Sequence, residues 1–127
     1  MYNIFNMSEF KQQYSLYNRK QESERVLHKY PDRIPIICER NKRSQMPQID
    51  KHKYLVPLDI TFGQFIYVIR KRLRLEAEKA IFLFVKGIIP PCNATLHEYY
   101  HHYKDEDGFL YITYSSENVF GINIDIN

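Results

Sequence analysis

Lys53-Tyr54-Leu55-Val56-Pro57-Leu58-Asp59-Ile60-Thr61-Phe62-Gly63-Gln64-Phe65-Ile66-Tyr67-Val68-Ile69-Arg70-Lys71-Arg72-Leu73-Arg74-Leu75 decides the fold. Its first five residues are rich in aromatic and β-branched side chains, and they close on a proline that has no N–H to give to a ladder, so they read as a strand. From Asp59 to Leu75 the period changes to 3.6: Phe62, Phe65, Ile66, Ile69 and Leu73 fall on one stripe. Thr61 as N-cap with Gln64 three residues on forms a capping box. Arg70, Lys71, Arg72 and Arg74 crowd the far end, where cations suit the helix dipole. A strand running straight into an amphipathic helix needs a sheet to receive the stripe.

Upstream, Ile34-Pro35-Ile36-Ile37-Cys38-Glu39-Arg40 alternates: Ile34, Ile36 and Cys38 share one face, Pro35 and Ile37 the other. It is expected to pair antiparallel with 53–57 across a long loop. Before it, Met7 to Lys29 carries no Gly or Pro and places Phe10, Tyr14 and Tyr17 at i, i+4 and i+7, which reads as helix in two short pieces. Tyr30-Pro31-Asp32-Arg33 stops it. Downstream, Ala80-Ile81-Phe82-Leu83-Phe84-Val85 is apolar throughout and reads as a central strand buried on both faces. Thr95 with Glu98 caps a short helix to about Tyr103. Asp105-Glu106-Asp107-Gly108 turns the chain into a last strand, Phe109 to Tyr114. Two strands, a crossing helix and two more strands make an α+β, ubiquitin-like β-grasp pattern with a four-stranded mixed sheet, preceded by two additional helices.

The 127 residues leave room for a single domain, divided into a helical extension 1–30, a core 31–116 and a tail 117–127. Residues 1 to 74 hold 15 Lys/Arg against 7 Asp/Glu, whereas 75 to 127 hold 3 against 8. Such asymmetry points to a partner surface. Cys38 and Cys92 are too few for a disulfide framework, and a reducing, cytoplasmic setting is expected. No apolar run approaches the ~18 residues of a membrane span. Asn3, Asn6 and Glu9 interrupt the stretch where a signal peptide would be apolar. His97 and His101 stand four apart on a helix but lack a third ligand, so no metal site is expected. Neither cysteine has a catalytic His in register, and no catalytic residue is assigned.

Six ordered blocks carry a resemblance: Lys29 to Glu39, Lys53 to Pro57, Gly63-Gln-Phe65 with Ile69 to Arg72, Ala80 to Val85, Asp107 to Tyr111, and Phe120-Gly121. Together they resemble the autophagy ubiquitin-like modifiers, in the branch named for the gamma-aminobutyrate receptor-associated protein, from about Phe10 to Gly121. The resemblance implies a non-enzyme that is cut after Gly121, next to Phe120, by a cysteine protease. Ubiquitin-type activating and conjugating enzymes would then join it to phosphatidylethanolamine. Glycine suits that acyl chemistry because its carbonyl has no side chain beside it. No cofactor is implied beyond this covalent lipid. A phospholipid brings two acyl chains, enough for stable attachment to the autophagosome membrane without an apolar segment in the protein.

The resemblance further implies recruitment of cargo receptors and adaptors bearing an aromatic-x-x-aliphatic motif. The motif would add to the edge strand 53–57 by backbone hydrogen bonds, with side-chain pockets giving specificity. The pocket for the aromatic residue would be formed by Glu22, Val26, Pro35, Ile37, Lys53, Leu55 and Phe109. That for the aliphatic residue would use Tyr54, Val56, Pro57, Ile60, Phe65 and Val68. Arg33 and Arg72 would meet acidic residues flanking the motif, adding mainly to association rate. Two alternatives stand beside this reading. One is a ubiquitin-like scaffold that is never lipidated. The other is a microtubule- or nucleic-acid-binding module using Arg19, Lys20, Arg25, Lys29, Arg40, Lys42 and Arg43, although no nucleic-acid motif is present and no nucleic acid is expected.

Overall fold

The computed structural model describes residues 7–117. The elements follow in the order α1 (Glu9–Gln13), α2 (Leu16–Lys29), β1 (Arg33–Arg40), β2 (Lys53–Pro57), α3 (Phe62–Leu73), β3 (Phe82–Phe84), α4 (Leu96–Tyr103) and β4 (Leu110–Ser115). The strands form one sheet in the order β2-β1-β4-β3. β1 pairs antiparallel with β2 and parallel with β4, and β3 pairs antiparallel with β4. This is the expected mixed sheet. Among the described residues no helix is long and apolar enough to cross a membrane.

Both capping boxes close. Thr61 Oγ1 accepts from Gln64 N–H at 3.1 Å while the Gln64 side chain accepts from Thr61 N–H at 2.9 Å. Thr95 and Glu98 repeat the arrangement on α4. α3 turns Phe62, Phe65 and Ile69 onto the sheet face made by Ile34, Ile36, Cys38, Leu110, Ile112 and Tyr114, and this is the core. Cys38 is fully buried there, and burial pushes its thiol well above the ordinary range, as suits an inert structural cysteine.

Three expectations need correction. The run 80–85 was expected to be a central strand, but β3 is short and lies at the sheet edge, next to β4 alone. Its residues are apolar for another reason: Leu83 faces the α3 core beside Tyr114, while Phe84 lies opposite Thr113 on the other face, and both are buried. The strand buried on both faces is β1, in which all residues from Ile34 to Glu39 are inaccessible or nearly so. The proposed Phe10, Tyr14, Tyr17 stripe is broken by Ser15, which caps α2 by accepting from Asn18 N–H at 3.1 Å. Phe10 packs edge-on against Phe109 at 5.3 Å, whereas Tyr14 and Tyr17 are exposed. The final strand starts at Leu110, one residue later than expected, because Phe109 N–H is bound to Asp107 Oδ1 at 2.9 Å.

Candidate functional site

α1 and α2 cover the sheet face opposite α3, and the way α2 is held shapes everything beside it. Its buried residues are Arg19 and Ser23, both polar. Arg19 Nε donates to Asp107 Oδ2 at 2.8 Å, in a pair almost fully withdrawn from solvent. Arg19 Nη1 donates to Tyr14 O at 2.7 Å, and Ser23 Oγ donates to Asp107 O at 2.5 Å. Asp107 also accepts from the Tyr111 hydroxyl, so one turn residue ties α2 to β4. Burial and the adjacent Asp107 carboxylate push the Tyr111 hydroxyl far up, which keeps it a donor. Gly108 completes the turn at φ +90°, and a Cβ there would stand 2.4 Å from Ser23 Oγ. Glycine is needed at that point for both reasons.

Beside this clamp, between α2 and the β1–β2 end of the sheet, lies a cavity of about 350 Å³. Glu22 and Val26 come from α2, Pro35 from β1, Lys53 and Leu55 from β2, and Phe109 from the turn before β4. Pro35 lies directly opposite Leu55 in the ladder, and Ile37 opposite Lys53. Of the seven residues assigned to an aromatic pocket, six line this cavity. Ile37 does not: it is fully buried, in the sheet between Lys53 of β2 and Tyr111 of β4.

The cavity mouth is charged. Arg25 grips Glu22 with two parallel bonds of 3.0 Å, and Lys53 Nζ reaches the same carboxylate at 2.8 Å. The Arg25 hydrogen bonds, then that of Lys53, hold the Glu22 carboxyl at about 2. Arg25 and Lys51 also line the cavity and were missed from sequence; Arg25 was within reach, since it stands at i+3 from Glu22 on a helix. Tyr54 lines it too, although assigned to the second pocket. Its hydroxyl is buried with no hydrogen-bond partner among the described residues.

The second set is brought together only in part. Tyr54, Val56 and Phe65 are core residues, with Tyr54 and Phe65 edge-on at 5.5 Å, and half-buried Ile60 packs against the same cluster. Pro57 and Val68 are exposed. Arg33 is exposed at the start of β1, opposite Pro57. Arg72 already has an anion: its Nε donates to Asp50 Oδ1 at 2.9 Å, which lowers the Asp50 pKa. β2 lies at the sheet edge, so one side of its backbone is unpaired, while Pro57 at its end offers no donor. Phe120 and Gly121 lie outside the described residues. Arg19 was counted among basic residues for a polyanion surface, but it is buried and ion-paired.

A sequence-family model described as Autophagy protein Atg8 ubiquitin like matches residues 18–121. The chain belongs to the Atg8 family. It is an autophagy ubiquitin-like modifier, and the match ends at Gly121. The chain is 58% identical over 114 residues to Autophagy-related protein 8 of Kluyveromyces marxianus, covering 90% of this chain and 92% of that one. It is 59% identical over 115 residues to Autophagy-related protein 8c of Arabidopsis thaliana, covering 91% and 97%. Among solved structures it is similar to Trypanosoma brucei ATG8, with a TM-score of 0.83 and 43% identity over 86% of this chain and 94% of that one. It is also similar to Plasmodium falciparum Atg8 solved in complex with a Plasmodium falciparum Atg3 peptide, with a TM-score of 0.80 and 38% identity over 87% and 98%.

Proposed function

We propose that this Atg8-family protein is trimmed after Gly121 by a cysteine protease, passed through ubiquitin-type activating and conjugating enzymes, and joined to phosphatidylethanolamine. The family match ends at Gly121 with six residues still to follow, which supports removal of Ile122 to Asn127. The protein is a modifier and carries no catalysis of its own. It moves from the cytoplasm to the autophagosome membrane on lipidation, and within the family it sits in the gamma-aminobutyrate receptor-associated branch. On that membrane it collects receptors and adaptors with aromatic-x-x-aliphatic motifs.

The observation that carries the receptor reading is a cavity of about 350 Å³ opening beside an unpaired sheet edge. An extended peptide paired with β2 sends alternate side chains to opposite faces, so its aromatic residue enters the cavity while backbone bonds form along Lys53 to Pro57. Leu55 and Val26 supply apolar contact, and Glu22 with Lys53 frames the mouth. The Plasmodium falciparum relative was solved with a peptide on this fold, which supports a partner of peptide dimensions. Burial of the anchor is set against the ordering of a flexible segment, so micromolar affinity, about −8 kcal/mol, is expected.

Calorimetry with an aromatic-x-x-aliphatic peptide tests the groove. Leu55→Ala should weaken binding about tenfold, as expected from the loss of ~1.4 kcal/mol of apolar contact. Unchanged affinity would sink the assignment. Tyr54→Ala is a poor probe, because Tyr54 is a core residue and its loss unsettles the fold. Intact mass measurement on protein from starved cells tests conjugation: a species ending at Gly121 and carrying a phospholipid is expected, absent in Gly121→Ala.

A further inference from the structure

A second, larger depression lies on the same sheet face, on the other side of the N-terminal helices. It measures about 620 Å³, and its floor is Thr113 and Tyr111 of β4 with Phe84 of β3. One wall is the chain entering α1, the other the loop after β1, and the Lys86–Gly87 turn closes one side. No motif peptide is assigned to it.

Its electrostatics are one-sided. Lys11, Arg40, Lys42, Arg43 and Lys86 line it, against the carboxylates of Glu39 and Asp105. Both carboxylates are occupied: Glu39 Oε2 accepts from Phe10 N–H at 2.9 Å, and Asp105 is ion-paired with Lys11. Lys42, Arg43 and Lys86 are exposed and form no ion pair among the described residues. Arg40 Nη1 donates to Met46 O at 2.8 Å, while its Nε is buried and has no hydrogen-bond partner among the described residues. Lys42, Arg43 and Lys86 therefore give the groove cationic charge that no carboxylate among the described residues pairs with.

Its position supplies the occupant. β4 ends at Ser115 beside the β1 loop, where Asn41 N–H donates to Tyr114 O at 2.8 Å. Six residues lead from Ser115 to Gly121, a reach of at most about 20 Å. A lipid on Gly121 would hold the groove within that distance of a bilayer. The turn beside it is rigid: Val85 and Ile88 exchange two backbone bonds of 2.8 and 2.9 Å, with Lys86 and Gly87 both at positive φ. Just past this turn, Ile88 and Ile89 are exposed. Aliphatic side chains next to free cations match an interfacial membrane contact, in which apolar groups settle among headgroups and Lys/Arg meet the lipid charge.

We propose that this groove binds the headgroups of anionic phospholipids and orients the protein on the membrane that carries it. The proposal rests on conjugation at Gly121 for its geometry, but the groove and its charge are present in the unconjugated chain. On a tethered protein even weak headgroup binding acts at high effective concentration and fixes which face looks outward.

The test uses the full, unconjugated chain and vesicles of phosphatidylcholine with or without phosphatidylserine, read by co-sedimentation. Binding to the anionic vesicles alone, weakening as salt rises, is expected. Lys42→Gln, Arg43→Gln and Lys86→Asn should each cost about fivefold, and the three together on the order of 100-fold. Asparagine is chosen at Lys86 because it tolerates the positive φ. A control neutralising exposed Lys20, Lys29 and Lys71 should retain most of the binding. Equal loss in the control, no preference for phosphatidylserine, or an acidic phosphopeptide bound by the groove while anionic vesicles are not, would each overturn the proposal. Because the vesicle assay needs no conjugation, a failure here leaves the lipidation reading standing. Conversely, a chain that is never conjugated at Gly121 but passes the vesicle assay would remove only the tether.

Discussion

The two faces of the sheet are covered by helices held in opposite ways. α3 presses Phe62, Phe65 and Ile69 into a face of Ile34, Ile36, Leu110, Ile112 and Tyr114, and apolar packing of that kind interdigitates closely. α2 buries only Arg19 and Ser23, and both meet the single residue Asp107. A polar clamp fixes a helix in place without filling the space beside it. The result is about 350 Å³ toward β2 and about 620 Å³ toward β3. One face is filled by apolar packing and the other leaves open depressions.

The largest break falls on the packed face. Phe62 is essentially inaccessible and lies edge-on to Tyr99 at 5.0 Å. Phe62→Ala should cost about 3 to 5 kcal/mol, seen as a lower urea midpoint with every amide of the sheet losing protection together. Next comes Arg19→Met, which leaves the Asp107 carboxylate in the interior with Tyr111 and the turn amide of Phe109 as its remaining donors among the described residues. Orphaning a buried charge costs about 3 to 5 kcal/mol, and the two surviving bonds place this variant near the lower end. The two substitutions differ in where the loss appears. In hydrogen exchange, Arg19→Met should release α1 and α2 while α3 amides keep their protection. Equal release on both faces would show that the two helices are held alike. Adding Asp107→Asn should restore part of the loss, because the orphaned charge is then gone.

The same contrast governs what the sequence discloses. α3 was legible because apolar burial writes a 3.6-residue stripe, and capping chemistry is local: Thr61 and Gln64 are three residues apart. The faces of β1 were legible because alternation separates Pro35 and Ile37 from Ile34 and Ile36, but its register on β2, with Pro35 opposite Leu55, is fixed by pairing that neither strand shows alone. The clamp was not, because Arg19 and Asp107 stand 88 residues apart and a helical Arg reads as solvated. The place of β3 was misread because an apolar run records burial and not rank in the sheet; Phe84 is covered on the groove face by tertiary contact that no local pattern announces. Of the residues that the family resemblance names for an aromatic pocket, six line the smaller cavity, while Ile37 is buried within the sheet, which no local pattern announces.

Gly108→Ala sharpens the comparison with a smaller effect. The backbone there is at φ +90°, and the added methyl would meet Ser23 Oγ at 2.4 Å and Ser23 Cβ at 3.0 Å. Backbone strain and displacement of α2 together should cost about 1 to 3 kcal/mol. Ser23→Ala in the same chain removes the closer contact but not the positive φ, so it should recover only part of the loss in a urea titration. Motif-peptide affinity should fall as well, since α2 forms one wall of the smaller cavity.

The smallest effect lies at the mouth of that cavity. Glu22 is bridged first by Arg25 and then by Lys53, and its pKa drops from 4.5 to about 2. A depressed carboxylate contributes stability that is fully present above the unfolded value near 4.5 and is lost as pH falls toward 2. The cluster faces solvent, so its contribution is below about 1 kcal/mol and shrinks with salt. The urea midpoint should therefore fall slightly between neutral pH and about pH 3 in the wild type, and Glu22→Gln should remove that component of the pH dependence. The functional consequence has the opposite sign to the structural one. Freed of Glu22, Lys53 and Arg25 become available to an acidic residue flanking the peptide motif, so Glu22→Gln should raise the association rate of an acidic-flanked peptide several-fold at low salt while a neutral-flanked peptide is unaffected. Equal rates for the two peptides would show that Glu22 restrains neither cation, and that the charged mouth is a passive rim.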